Sequence, residues 1–164
     1  MNASSLLILA AFIIASAGAA ATGAMYRPGE WYRQLDKPSW RPPDWLFAPL
    51  WTALYAMIAL SGWLVWRQAG FAGAALPLTV YAIQLILNAL WTPIFFGLRR
   101  TDLALIEIVM VWASIVATIV LFHPVSPPAA WLLVPYLAWV SFASALNFSI
   151  WRRNPASARS GSTR

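Results

Sequence analysis

Long stretches without charged residues constrain the fold of this chain more than any other feature. Only 10% of the residues are charged, whereas soluble domains carry about 25%. A helix of about 20 apolar residues crosses a bilayer, and the period-two alternation of a membrane barrel is absent. The sequence therefore predicts an all-α integral membrane protein, a bundle of five transmembrane helices at about 3–25, 45–66, 76–98, 103–122 and 129–151.

The first segment could also be explained by a secretory signal. No Lys or Arg precedes Arg27, so the basic start of a signal is missing, and the uncharged run 3–24 is long for one. We therefore interpret it as a membrane span. Small residues recur along it every four positions, at Ala11, Ala15, Ala19 and Gly23. Such a ridge lets a second helix approach closely, unless alanine is simply common in this chain.

The positive charges predict how the bundle lies in the membrane. With five spans, every Lys and Arg except Arg67 falls on one side: Arg27, Arg33, Lys37, Arg41, Arg99, Arg100, Arg152, Arg153, Arg159 and Arg164. Cytoplasmic segments are enriched in Lys and Arg, so the N-terminus is predicted outside and the C-terminus inside. The net charge of +6 then reflects topology and attraction to anionic lipid, and nucleic acid is not expected as a partner.

The loop between the first two helices, residues 26–44, combines aromatic rings with helix-breaking prolines. Pro38, Pro42 and Pro43 are among these prolines. Proline cannot continue a helix interior, and Trp and Tyr favour the membrane–water interface. We predict a structured loop that covers a pocket. The whole membrane domain is expected at 1–152, followed by a polar, disordered tail at 153–164.

Further breaks are predicted along the second and third helices. A short Gly/Ala-rich turn is expected at 67–77, and Trp63 and Trp66, just before it, are expected to face lipid. Pro93 lacks an N–H group and should kink the third helix.

Large rings and amides share one face on each of three predicted helices. Residues four apart lie on the same side of a helix, which groups Phe47, Trp51 and Tyr55, then Gln84, Asn88, Trp91 and Phe95, then Trp139, Ala143 and Leu146 or Asn147. Polar side chains inside a membrane normally face the bundle interior, so the three faces are expected to meet. Two interpretations remain open: a pocket for a flat or bulky apolar ligand, and aromatic packing with amides that join the helices.

Few residues offer catalytic or metal-binding chemistry. There is no cysteine, and the single histidine, His123, is expected in a solvated loop, so no metal site is predicted. Glu107 either pairs with Arg99 or Arg100 near the interface, the interpretation we prefer, or lines a polar path. The residues by themselves predict no catalytic site.

Four motifs in order resemble the TspO/MBR family of tryptophan-rich sensory proteins, whose mitochondrial members are called translocator protein or peripheral-type benzodiazepine receptor. They are WYRQLDKPSWRPP (31–43), FAPLWTALY (47–55), QLILNALWTPIFFG (84–97) and VPYLAWVSFASALN (134–147). The resemblance covers about residues 5–152. It implies a five-helix membrane bundle, usually a homodimer, that binds porphyrins such as protoporphyrin IX, benzodiazepine-type ligands and, in animal members, cholesterol.

The resemblance also implies where a ligand would bind, under the loop between the first two helices. The matching positions are Trp31, Trp40, Phe47, Trp51, Tyr55, Asn88, Trp91, Trp139, Ala143 and Leu146. These positions agree with the faces derived from spacing. Some bacterial relatives degrade porphyrin in light, and Trp31 and Trp139 correspond to the tryptophans implicated there. Porphyrin would be a ligand in this arrangement, and no cofactor is expected.

The function favoured by the resemblance is that of a membrane receptor, sensor or carrier for porphyrin-like ligands. One alternative is an enzyme that oxidises porphyrin in light through tryptophan. An ion-driven transporter is disfavoured because five helices cannot form equal repeats, and a purely structural protein is the remaining possibility. A bacterial membrane is the expected location, or the mitochondrial outer membrane for a eukaryotic chain.

Sterol ranks below porphyrin as the expected ligand. The cholesterol consensus requires a cation within five residues after its tyrosine, but none follows Tyr136 before Arg152. A reversed match exists at Arg27, Tyr32 and Leu35.

The predicted topology can be tested with two reporter fusions. A reporter after Arg164 should report the cytoplasmic side, and one inserted within 68–75 should report the opposite side, because three spans separate them. Reporters on the same side would show an even number of spans between the two points and would contradict the five-helix count.

Overall fold

A computed structural model describes residues 3–155, and within that range every regular element is a helix. The longer helices are α1 (Ala3–Met25), α3 (Phe47–Gly73), α4 (Ala75–Thr92), α5 (Thr101–Phe122) and α7 (Val134–Arg153), and the shorter ones are α2 (Glu30–Gln34) and α6 (Pro127–Leu132). The tail predicted at 153–164 lies outside the described residues, apart from its first three positions.

Helices long and apolar enough to cross a membrane number five among the described residues. They are Ala3–Met25, Asp44–Gly73, Ala75–Gly97, Thr101–Phe122 and Pro127–Arg153. Their mean hydropathy and length match the bilayer requirement. The prediction of a five-helix membrane bundle is confirmed.

The turn predicted at 67–77 is wrong in extent, because helix α3 continues to Gly73. The direction of the chain changes at Gly70, which has φ 66° and ψ −178°. Only glycine adopts this conformation readily. A Gly/Ala-rich stretch therefore stays helical except at the one glycine that bends it.

Prolines shape the third and fifth spans in different ways. Helix α4 ends at Thr92, and Pro93–Gly97 forms a wider π-type turn, in which the Leu98 N–H donates to the Pro93 carbonyl at 2.9 Å. The predicted disturbance at Pro93 is thus present as a widened turn. The fifth span divides into α6 and α7 just before Pro135, whose missing N–H is harmless at the start of a helix.

Helix α1 packs against α3 and α4, and α5 packs between α4 and α7. The core between them contains Leu54, Ile58, Tyr81, Ile115 and Tyr136. The small-residue ridge of α1 takes little part in this packing. Ala19 is buried, whereas Ala11, Ala15 and Gly23 are exposed on the outer side of the chain.

The loop before α3 is tied down at two places. The Lys37 ammonium donates to the carbonyls of Tyr32 at 2.6 Å and Leu35 at 2.8 Å, and desolvation together with the Arg41 charge lowers the pKa of Lys37. The Asp36 N–H donates to Asn154 Oδ1, and Asn154 Nδ2 donates to the Asp36 carbonyl, both at 2.9 Å. The end of α7 therefore holds the middle of the loop.

Gly62 of α3 lies where rings from α1 and α4 pack against it, with no room for a side chain. A Cβ at this position would lie 2.7 Å from the Phe12 ring and 2.8 Å from the Tyr81 ring. We expect Gly62→Ala to lower the stability of the protein by about 1–3 kcal/mol through overpacking, measured by thermal unfolding in detergent. Gly18→Ala is the matched control, because no atom lies within 4 Å of the added methyl. Equal unfolding temperatures for the two variants would contradict this packing of α1.

Candidate functional site

An amide on α4 joins three helices through its side chain. The Tyr55 hydroxyl donates to Asn88 Oδ1 at 2.6 Å, and Asn88 Nδ2 donates to the Tyr136 oxygen at 2.7 Å. Tyr55 lies on α3 and Tyr136 on α7, and Asn88 and Tyr136 are both buried. We call Tyr55, Asn88 and Tyr136 the polar node. It satisfies the donor and acceptor of the amide inside an apolar environment.

Aromatic rings extend from the polar node toward the loop. Trp51 packs against Tyr55 and Tyr136, with ring centroids 5.3 and 6.3 Å apart. Trp139 lies beside Phe47 at 5.6 Å and is stacked on Phe142 at 5.4 Å.

Trp40 in the loop completes this group, with its ring edge-on to Phe142 at 5.5 Å. About half of the Trp40 side chain is exposed, so this ring covers the outer end of the group. We call the set Trp40, Phe47, Trp51, Trp139 and Phe142 the aromatic assembly. It is built by the loop, α3 and α7, with Ala143 half-buried on α7 beside it.

The remaining predicted site residues lie in a second group. Trp31, Trp91 and Leu146 pack with Phe95 in a cluster below the loop. Trp91 is stacked on Phe95 at 4.9 Å, and Trp31 meets the same ring edge-on at 5.9 Å. Trp91 also borders the main core. The predicted positions therefore divide into two groups, and Trp91 lies where the second group meets the main core.

Asn147 is a second buried amide that joins helices. It accepts a hydrogen bond from Trp91 Nε1 at 3.3 Å and donates to the Thr101 carbonyl at 2.9 Å. Sequence spacing left Leu146 and Asn147 as alternatives for the inner face of the fifth helix. The structure buries both side chains, because adjacent positions near a helix crossing can each contact a different neighbour.

Spacing from the sequence missed Tyr136 and Phe142 as neighbours of the site. Tyr136 was noted only for the sterol pattern, although it lies three residues before Trp139, and Phe142 lies three residues after it. Positions three apart share a helix face. Applying that spacing as well as a spacing of four would have found both rings.

Two expectations about single residues are wrong. Glu107 is buried, and neither of its carboxylate oxygens has a hydrogen-bond partner among the described residues. Arg100 instead pairs with Asp102, at 2.6 Å, because this carboxylate is nearer in the turn. Trp63, expected to face lipid, is buried and donates its indole N–H to the Ser5 carbonyl at 3.1 Å, since α1 covers that side of α3.

The chemistry available at the site is that of ring faces and neutral hydrogen-bonding groups. Within residues 3–155, no group of three or more His, Cys, Asp or Glu side chains could hold a metal ion. The polar node offers hydroxyl and amide groups, and the rings around it offer flat apolar surfaces. Such a combination is typical of sites for flat, largely apolar molecules.

Comparisons with known proteins agree on one group of membrane proteins. A family model described as "TspO/MBR family" matches residues 6–152. The chain is 46% identical over 155 residues to "Protein CrtK" of Rhodobacter capsulatus, covering 92% of this chain and 95% of that protein. It is 44% identical over 137 residues to "Translocator protein" of Bos taurus, covering 80% and 81%. It is 41% identical over 143 residues to "Tryptophan-rich sensory protein" of Cereibacter sphaeroides, covering 87% and 89%.

The two buried amides of α4 allow a matched test of the polar node. Asn88→Leu should lower stability by about 1–3 kcal/mol for each hydroxyl left unpaired, since Tyr55 and Tyr136 lose their common partner. Gln84, one turn earlier, is also buried, but neither of its amide atoms has a hydrogen-bond partner within the described chain. Gln84→Leu should therefore be neutral or stabilising.

Thermal unfolding in one detergent provides the measurement for both variants. A loss of stability in Gln84→Leu as large as that in Asn88→Leu would show that the hydrogen bonds of the polar node are not what holds the three helices.

Proposed function

The chain belongs to the TspO/MBR family, and on that premise we propose that it is a membrane receptor or carrier for porphyrin-like tetrapyrroles. The carrying observation is that Trp40, Phe142, Trp139 and Phe47 form a continuous series of ring contacts between the loop, α7 and α3. Trp51, one turn after Phe47 on α3, packs on the two tyrosines of the polar node. The protein is a multi-pass membrane protein with five spanning helices.

The aromatic assembly suits a flat ligand for energetic reasons. An offset-stacked or edge-on aromatic pair contributes about 0.5–1.5 kcal/mol beyond its buried area, and a tetrapyrrole presents a wide planar face to several rings at once. The rings of Trp139 and Phe142 are nearly parallel, with an interplanar angle of 28°. A planar ligand can enter this arrangement by replacing one ring–ring contact with two ring–ligand contacts.

The polar node supports binding by fixing the positions of rings. Tyr55 and Tyr136 are both held by Asn88, and Trp51 packs on both of these tyrosines. A ring that is already held loses less freedom when a ligand binds, which raises affinity. The node therefore acts on the ligand mainly through Trp51.

The loop supplies the cover of the proposed site. Trp40 contacts Phe142 at the edge of the assembly and is half exposed, so its displacement would uncover Phe142, the ring on which Trp139 is stacked. Residues Trp31 and Leu35 of the same loop are packed on the second cluster. The half of the loop that carries Trp40 is thus the side through which a ligand would enter.

The same proposal includes three further statements, which concern other ligands, the topology and a dimer. Benzodiazepine-type molecules are flat enough to occupy the same rings, and sterol remains a weaker candidate. The N-terminus lies outside and the C-terminus inside, as the distribution of Lys and Arg predicts. A second copy of the chain packs on the exposed ridge of Ala11, Ala15 and Gly23.

Removing one ring of the assembly tests the proposed site. Trp139→Ala and Trp51→Ala should each weaken binding of protoporphyrin IX by about tenfold or more, because stacking and apolar burial worth roughly 2 kcal/mol are lost. Trp139→Phe should retain much of the affinity, since a ring remains. The measurement is a titration of tryptophan fluorescence, with samples kept dark between brief excitation pulses so that light-driven oxidation does not consume the ligand.

Trp131→Ala is the control, because this indole is 66% exposed on α6, away from the assembly. Its affinity for porphyrin should equal that of the parent. If Trp139→Ala binds as tightly as Trp131→Ala, with both proteins folded by circular dichroism, porphyrin does not bind at the aromatic assembly.

A further inference from the structure

A crevice separate from the aromatic assembly opens between the start of the loop and the turn after α4. Its volume is about 380 Å³, and it is lined by Arg27, Gly29, Glu30, Trp31, Gln34, Phe96 and Arg99. Helix α1 ends at Met25, the π-type turn ends at Gly97, and α5 begins at Thr101. The crevice therefore lies where several spanning helices end, at the depth of lipid headgroups.

The crevice carries positive charge that no carboxylate balances. Arg99 makes no hydrogen bond or ion pair with the rest of the described chain, and Arg27 uses only its Nε, toward the Ala24 carbonyl at 3.3 Å. The acid in the lining, Glu30, is engaged by Arg33 at 2.6 Å, and that hydrogen bond lowers the pKa of Glu30. The charges of Arg27 and Arg99 are thus left for another anion.

The backbone of Arg99 has a conformation that is unfavourable for a residue with a side chain. Arg99 has φ 57°, in the left-handed region that is unfavourable for residues other than glycine. Gly or Asn would fit this turn with less strain. The arginine at this position puts a positive charge beside the crevice, although the geometry of the turn favours a smaller residue.

The other wall of the crevice is aromatic. Trp31 and Phe96 line it, and both rings are held from behind, Trp31 by Phe95 and Phe96 by Tyr32. A free inorganic anion would bind the two arginines but would leave the ring surfaces that line the crevice uncovered. A molecule with an anionic head and an apolar body would use both walls.

We propose that this crevice binds the phosphate of an anionic phospholipid. Arg27 and Arg99 hold the phosphate through charge-assisted hydrogen bonds, and Trp31 and Phe96 contact the glycerol and the first part of the acyl chains. The predicted topology places the crevice on the cytoplasmic side, where anionic lipids attract basic segments. This site is independent of porphyrin binding at the aromatic assembly.

The test compares lipids and variants of the full chain in one detergent. Native mass spectrometry should show phosphatidylglycerol retained at least tenfold more tightly than phosphatidylcholine of the same acyl chains. The double variant Arg27→Gln, Arg99→Asn should lose this preference, and Arg27→Gln alone should weaken it several-fold. Asn is chosen at position 99 because it tolerates a positive φ, so that the turn is kept while the charge is lost.

Arg152→Gln is the matched control. It removes one charge on the same predicted side of the membrane, but Arg152 lies over Phe148 on α7 and does not line the crevice. Its preference for phosphatidylglycerol should equal that of the parent. Loss of the preference in Arg152→Gln as large as that in Arg27→Gln would mean that overall charge attracts the lipid, and would exclude the crevice as the binding site.

Soluble glycerol phosphate separates the headgroup from the whole lipid. At the concentration of the lipid it should not displace bound phosphatidylglycerol, because it lacks the part that contacts the rings. Complete displacement would show that the site recognises a free phosphate and would overturn the assignment to a lipid. Equal retention of the two lipids by the parent would overturn it as well.

Discussion

A polar side chain inside the hydrocarbon layer requires partners from the protein itself to form hydrogen bonds, since neither water nor lipid tails supply them. Asn88 meets this requirement by joining Tyr55 and Tyr136, and Asn147 meets it by joining Trp91 to the Thr101 carbonyl. Together the two amides connect α3, α4, α5 and α7. A rotation of any of these helices would leave a buried donor or acceptor unpaired, so the amides fix the relative orientation that apolar packing would leave variable.

The structure separates neutral polar groups from unpaired positive charge. The space between α3, α4 and α7 contains rings, hydroxyls and amides, whereas the unbalanced arginines lie at the edge, around the crevice of Arg27 and Arg99. Trp31 belongs both to the crevice and to the second cluster, because it lines the crevice and its ring contacts Phe95. Movement of the loop would therefore affect the crevice and the second cluster together, through one side chain.

Much of this arrangement could be predicted from the sequence, because the membrane imposes simple rules. Twenty apolar residues predict a span, and rings four apart on α3 do share a face. The predictions that failed depended on contacts with other helices, which the spacing of residues within one helix does not reveal. Trp63 looked lipid-facing because nothing in its own helix shows that α1 covers it. Glu107 was expected at the membrane interface because it lies near the start of α5 in the sequence. The orientation of α5 instead turns its side chain toward the bundle interior. Residues 67–73 remained helical because small residues permit a turn without requiring one.

The pair of hydrogen bonds between Asp36 and Asn154 has a consequence for the order of folding. The two residues are 118 positions apart, and Asn154 follows the last helix of the bundle. During synthesis the N-terminal parts of a chain are made first, at about 5–20 residues per second. The loop before α3 therefore leaves the ribosome early but cannot reach its final partner until α7 is complete. The segment that covers the proposed ligand site is thus among the last parts of the molecule to be fixed, and a chain that stops short of Asn154 would insert its helices but lack these two hydrogen bonds between the loop and the end of α7.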